Sequence, residues 1–141
     1  MRNRTRSREY ALQMLYQADI RHVGHEQIQQ EFWQESESVD TEVTAFANAL
    51  FEGTVARRAE IDASIADYAD NWNMKRMAVI DRNILRLGVY ELLHQTDVPS
   101  KVCINEAIEL AKRFGDTDSS KFINGILDRV KNESQLSQSA P

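Results

Sequence analysis

The stretch Ile80–Leu93, IDRNILRLGVYELL, constrains the fold more than any other. It has no proline and consists mostly of good helix formers. Ile80, Ile84, Leu87, Gly88 and Leu92 recur at three- and four-residue spacing, and Leu85, Val89 and Leu93 add a second apolar stripe. A helix apolar on most sides is buried on most sides, so other elements must wrap around this one. Its polar exceptions are Asp81, Arg82, Asn83, Arg86 and Glu91. They crowd toward the start, where a carboxylate also suits the helix dipole. Such a pattern ordinarily gives a core helix with one solvated strip. The sharper expectation is that the strip Asp81, Arg82 and Arg86 meets a partner.

The remaining segments supply helices to do the wrapping. Leu12, Leu15 and Tyr16 share a face, widened by Ala11, Met14 and Ala18, which predicts a first helix from near Thr5, stopped by Gly24. Ile28, Phe32 and Trp33 support a short second helix within residues 25–35, followed by a loop over 35–38. Asp40 or Ser38 caps the next element. Between Thr41 and Tyr68 there is no proline, and Val43, Ala47, Leu50, Val55, Ile61, Ile65 and Tyr68 keep helical spacing, so one long helix is expected. Gly53 inside it costs about 1 kcal/mol, which a close helix crossing would explain. The break at residues 70–73 places Trp72 as a corner plug, and Met74–Met77 turns into the central helix.

Pro99 ends the central helix. Ile104, Ala107, Ile108, Ala111 and Phe114 then form a strongly periodic helix stopped by Gly115, and Phe122, Ile123, Ile126, Leu127 and Val130 form the last. No segment alternates like a strand. The predicted fold is all-α, a single-domain bundle of about seven helices, with a basic arm over residues 1–8, a helical domain over 9–132 and a disordered polar tail over 133–141.

Composition narrows the function classes. At 141 residues, 42% hydrophobic and 28% charged, the chain reads as one soluble globular domain. No apolar run approaches the roughly 20 residues of a membrane span, and the arginine-rich start leads into an amphipathic segment, so a cytoplasmic protein is expected. The single cysteine, Cys103, lies between Val102 and Ile104, the setting of a buried thiol. Net charge is −5, yet residues 1–8 hold Arg2, Arg4, Arg6 and Arg8 and no acid, so the rest of the chain carries −9. A basic arm on an acidic body is an interaction pattern, and such arms bind nucleic acid; a solvated tail that aids only solubility is the plainer alternative.

Catalytic chemistry finds little support. There is no phosphate loop, dinucleotide turn or HExxH motif. His22 and His25 are three apart but flank Gly24 and have no evident third ligand. Glu106 and Glu109 sit in early turns of a helix, where carboxylates are ordinary. No cofactor and no enzymatic activity are expected; the product of this fold is a surface.

Three blocks carry a resemblance. They are Asp81-Arg82-x-Ile84-Leu85-Arg86 with Tyr90-Glu91-Leu92; Pro99-x-x-Val102-x-Ile104-Asn105-Glu106-Ala107-Ile108-Glu109-Leu110-Ala111-Lys112-x-Phe114-Gly115; and Ser120-Lys121-Phe122-Ile123-Asn124-Gly125-Ile126-Leu127-Asp128. With Arg8-x-x-Ala11-x-x-x-Leu15-Tyr16, they resemble the NusB family of transcription antitermination factors, densely over residues 77–129 and more loosely before. The resemblance implies an all-helical protein binding boxA RNA of ribosomal leaders jointly with NusE, a small-subunit ribosomal protein. It also implies assembly with other Nus factors and RNA polymerase to suppress premature termination. It leaves monomer and homodimer open. The same module begins certain rRNA cytosine methyltransferases, a reading that the length of this chain disfavours.

Physics gives that implication candidate residues. Single-stranded RNA is held by phosphate neutralisation and by base stacking on aromatics. Arg2, Arg4, Arg6 and Arg8 supply charge, and Lys101, Lys112, Arg113 and Lys121 extend the track. Phe122 and Tyr68 are stacking candidates, although Phe122 also fits the apolar stripe of its helix. Asp118 and Ser119, at a helix N-terminus, more often cap than bind, although the free N–H groups there could hold phosphate. By the resemblance, Tyr16, Arg76, Asp81 and Arg82 fall where NusE docks. A helical protein–protein adaptor without RNA specificity is the competing class.

Overall fold

A computed structural model describes residues 2–36, 39–69, 74–95 and 97–139. Among these there are seven α-helices, a single 3-10 turn and no strand: α1 Asn3–Ile20, α2 His25–Glu35, α3 Thr41–Ala56, α4 Arg58–Tyr68, the turn Met74–Arg76, α5 Val79–His94, α6 Ser100–Phe114 and α7 Ser119–Ser139. The expected all-α bundle is what forms.

Helix α5 is the axis. It packs against α1, α3, α4, α6 and α7, and every residue from Asn83 to Glu91 is buried. Asn83, Arg86 and Glu91 are buried with the rest, so Arg86 and Glu91 do not form the solvated strip the pattern suggested. Both are satisfied internally, as described below.

Gly53 does mark a close crossing. A Cβ there would lie 2.2 Å from Cζ and Oη of Tyr90, so the α5 tyrosine lies directly over the bare α3 backbone. The helix containing Gly53 is not continuous, however. The single helix expected over Thr41–Tyr68 breaks at Arg57, whose φ of −111° and ψ of 16° leave the helical region. No glycine or proline announces the break. One turn earlier Thr54 Oγ1 donates to the Leu50 carbonyl at 2.7 Å, a side-chain-to-backbone bond that bends helices. The bend lets Ile61 and Ile65 of α4 reach the core, where both are fully buried.

Two boundaries also differ from expectation. The basic arm is not a separate segment: helix begins at Asn3, with the Arg6 N–H donating to the Arg2 carbonyl at 3.1 Å, and Ser7 ties α1 to α3 by donating to the Val43 carbonyl at 2.8 Å. At the other end, α7 runs to Ser139 instead of fraying after Asn132. Polar composition alone does not stop a helix, and residues 126–140 contain neither glycine nor proline. Trp72, the expected corner plug, lies outside the described residues, as does Ser38. Among the described residues no helix is long and apolar enough to cross a membrane.

Candidate nucleic-acid interface and partner groove

The four arginines of the N-terminal segment have four different fates. Arg2 is the exposed residue before the first helical turn. Arg4 lies with its guanidinium carbon 4.5 Å above the centroid of Phe46 and 3.8 Å from the Asp97 carboxylate. Arg6 donates to the Tyr10 hydroxyl at 3.2 Å. Arg8 turns inward. Its Nε and Nη2 donate to the two Glu91 oxygens at 2.7 and 2.8 Å, with both side chains 3% exposed. Arg8 is therefore removed from the solvent-facing track in which the charge pattern placed it. Amphipathic periodicity explains why: position 8 continues the face of Ala11, Leu12 and Leu15, which points at α5.

Burial around this pair also settles Cys103. Desolvation and the Glu91 charge push its thiol up to about 12, so it is a buried, unreactive group as its apolar neighbours suggested.

Helix α6 meets the start of α1 along a broad open cleft of about 490 Å³. Arg2, Lys112 and Arg113 line it, so the structure does bring α1 and α6 cations together. Glu9, Glu106 and Glu109 share the same walls. Arg113 pairs with Glu9, and Glu106 accepts from Thr5 at 2.9 Å. The face is mixed in sign, not purely basic. Beside it, a cleft of about 360 Å³ places Arg2 and Arg4 next to Val98, Pro99 and exposed Val102. Lys101 and Lys121 are both exposed, on α6 and α7.

A second feature lies where α1, α5, α6 and α7 converge. Tyr16, Ile80 and Phe114 line an apolar groove of about 310 Å³. The groove continues past Asp81 and Asp116 to Arg76, Asp118 and Phe122. Phe114, the last apolar residue of the α6 periodicity, is 37% exposed in this groove. Asp81 Oδ1 is buried here with no hydrogen-bond partner among the described residues. Phe122 packs on the core, as the apolar stripe of its helix suggested, and also lines the end of the groove. Ser119, not Asp118, serves the turn before α7, its Oγ accepting the Asp116 N–H at 2.9 Å.

Of the four residues grouped for partner docking, Tyr16, Arg76 and Asp81 line this groove and Arg82 does not. Arg82 points the other way and grips Asp19 of α1 at 2.6 and 2.9 Å. Tyr68 is likewise elsewhere: its ring lies 5.4 Å from the Arg129 guanidinium of α7, and its carbonyl accepts from Arg129 at 2.8 Å.

Sequence reasoning overlooked Phe46, Asp19 and the exposure of Phe114. Phe46 is three residues from Val43 on the flank of the α3 stripe, the one usable signal. Asp19 has none, because its partners lie 63 to 67 positions away. Among the described residues no three His, Cys, Asp or Glu side chains cluster to hold a metal ion.

Comparison with known proteins places this geometry. The NusB family model matches residues 5–132. A transcription antitermination protein NusB from Anaeromyxobacter sp. (strain Fw109-5) is 50% identical over 127 residues, covering 90% of this chain and 88% of that protein. NusB of T. maritima superposes with a TM-score of 0.85 at 40% identity, over 92% and 91% of the two chains. A chain in the crystal structure of antitermination factors NusB and NusE in complex with dsRNA superposes with a TM-score of 0.86 at 27% identity, over 94% and 98%. On a family match across nearly the whole helical domain and a half-identical relative, the chain belongs to the NusB family.

Proposed function

We propose that this protein is a transcription antitermination factor that holds boxA-type single-stranded RNA jointly with NusE. In this reading it works with other Nus factors on RNA polymerase, in the cytoplasm, and suppresses premature termination of ribosomal RNA transcription. The supporting observation is the continuity of the groove. It is apolar at Tyr16, Ile80 and Phe114, carries Asp81 midway, whose Oδ1 has no partner among the described residues, and ends at Phe122 beside the exposed Lys121. A basic ribosomal protein fits the apolar and acidic part and would stand next to RNA at the other end. The relative crystallised as NusB and NusE with dsRNA supports the NusE and RNA parts of this reading.

The test is binding of a short boxA-like RNA against a scrambled control, with and without NusE, across a salt series. Alone, the acidic body opposes the RNA, so tight sequence-dependent binding is expected only with NusE. Four phosphate contacts, three from Arg2, Arg4 and Arg6 and one from the exposed Lys121, at about −0.7 each give a slope near −3 in log K against log salt. Replacing Arg2, Arg4 and Arg6 with Ala should flatten that slope by about 2 on the same basis. Arg8→Ala should leave it unchanged, because Arg8 faces Glu91. Asp81→Asn should weaken NusE binding about tenfold or more, the cost of losing a desolvated charged contact. Absence of sequence preference with NusE present would instead favour a protein-binding adaptor.

A further inference from the structure

We infer that Phe46 is a positioning residue for RNA: its ring is a shelf that holds the Arg4 guanidinium ready for a phosphate without itself touching the RNA. The inference rests on the RNA-binding reading above. Phe46 projects from α3 toward α1, half-buried and packed on the core. Two guanidiniums one helical turn apart lie against it, Arg4 at 4.5 Å and Arg8 at 5.7 Å from the ring centroid. Arg8 is fixed by both oxygens of Glu91, so one side of the arrangement is rigid. Arg4 remains 53% exposed. Stacking occupies one flat face of a guanidinium and leaves the N–H donors around its rim available, and that rim is what grips phosphate bidentately. The Asp97 carboxylate, 3.8 Å away, lies at contact distance without close hydrogen-bond geometry, so a phosphate can displace it.

A free arginine on a helix end loses rotamer freedom when it binds. Arg4 has already lost part of it against the ring. Arg6 also lies near a ring, 5.8 Å from the Tyr10 centroid, but it donates to the Tyr10 hydroxyl, and Tyr10 packs edge-on to Phe32 and Trp33. Phe46 is therefore the cleaner position to test.

The experiment compares unaltered protein, Phe46→Leu, Phe46→Tyr, Arg4→Ala and the Phe46→Leu/Arg4→Ala pair, each with NusE and the boxA-like RNA. Phe46→Leu should weaken binding about two- to fivefold, the range of an exposed cation–aromatic contact, with the salt slope unchanged because no charge is removed. Phe46→Tyr should restore it. In the Arg4→Ala background Phe46→Leu should add nothing. Nuclear magnetic resonance of the free protein should show Arg4 side-chain signals displaced by the ring and released in Phe46→Leu. Full affinity in Phe46→Leu, failure of Phe46→Tyr to rescue, or an equal loss without Arg4 would each overturn the shelf while leaving RNA binding in place. Failure of the unaltered protein to bind RNA with NusE present would remove both readings.

Discussion

Glu91→Ala should destabilise the fold by about 3–5 kcal/mol, the usual cost of removing one partner from a buried ion pair. A domain of this size has about 5–15 kcal/mol in total, so the variant should sit near the edge of folding. Arg8 keeps its charge at any accessible pH, and with Glu91 gone it lies in the core against Glu106, 3.6 Å away and itself partly exposed. The reciprocal change, Arg8→Met, leaves Glu91 in the core without its cation and should cost a similar amount. Replacing both with Met and Leu should recover most of the loss, since well-packed apolar pairs often equal a buried ion pair. Urea unfolding of the unaltered protein, Arg8→Met, Glu91→Leu and the double variant gives the coupling directly. An additive pair, with the double variant as weak as the sum of the singles, would mean the two residues do not act together.

That pair shows where sequence reading reaches and where it stops. The central helix was legible because burial on most sides leaves a near-continuous apolar pattern, and Gly53 was legible because a glycine inside a helix needs a neighbour close enough to require it. Both are local signals. The depth of Arg8 depends on Glu91, 83 positions away, and net charge counts a buried arginine and a solvated one alike. The break at Arg57 has no glycine or proline, only a threonine back-bond that becomes meaningful once the bend is seen. For the candidate site, Tyr16, Arg76 and Asp81 were placed by family resemblance, and the structure adds the groove joining them. Arg82 separated from Asp81 because adjacent helical residues point about 100° apart. Phe46 was missed because a shelf is defined by what lies on it.

Replacing Asp19 should be nearly as damaging, and its cost should depend on acid. Asp19 is 5% exposed in its side chain and accepts from Arg82, from Asn83 at 3.0 Å and from Arg86 at 3.0 Å. Arg86 also grips Asp62 at 2.8 and 3.0 Å, and Arg58 stands 3.7 Å from Asp19. The cluster thus staples α1, α4 and α5 with three guanidiniums and two carboxylates. Burial pushes the Asp19 carboxyl up, but the hydrogen bonds from Arg82 and Asn83 and the charges of Arg86 and Arg82 outweigh it and hold it at about 2, against an ordinary 3.8. Because the folded value lies below the unfolded one, this stabilisation is complete above pH 3.8 and is lost as pH falls toward 2. The difference is on the order of 2 kcal/mol. Asp19→Asn should therefore be less stable than the unaltered protein at pH 7, and the gap should close by about that amount between pH 4 and pH 2. Denaturant midpoints at pH 7, 5, 3 and 2 measure it; a gap that stays constant would show that the Asp19 charge does not carry the staple. The same helix carries Arg4 at one end, Tyr16 in the groove and Asp19 at the other end. A loosened staple should therefore also cost partner affinity at the groove before the protein unfolds, since Tyr16 is one helical turn from Asp19.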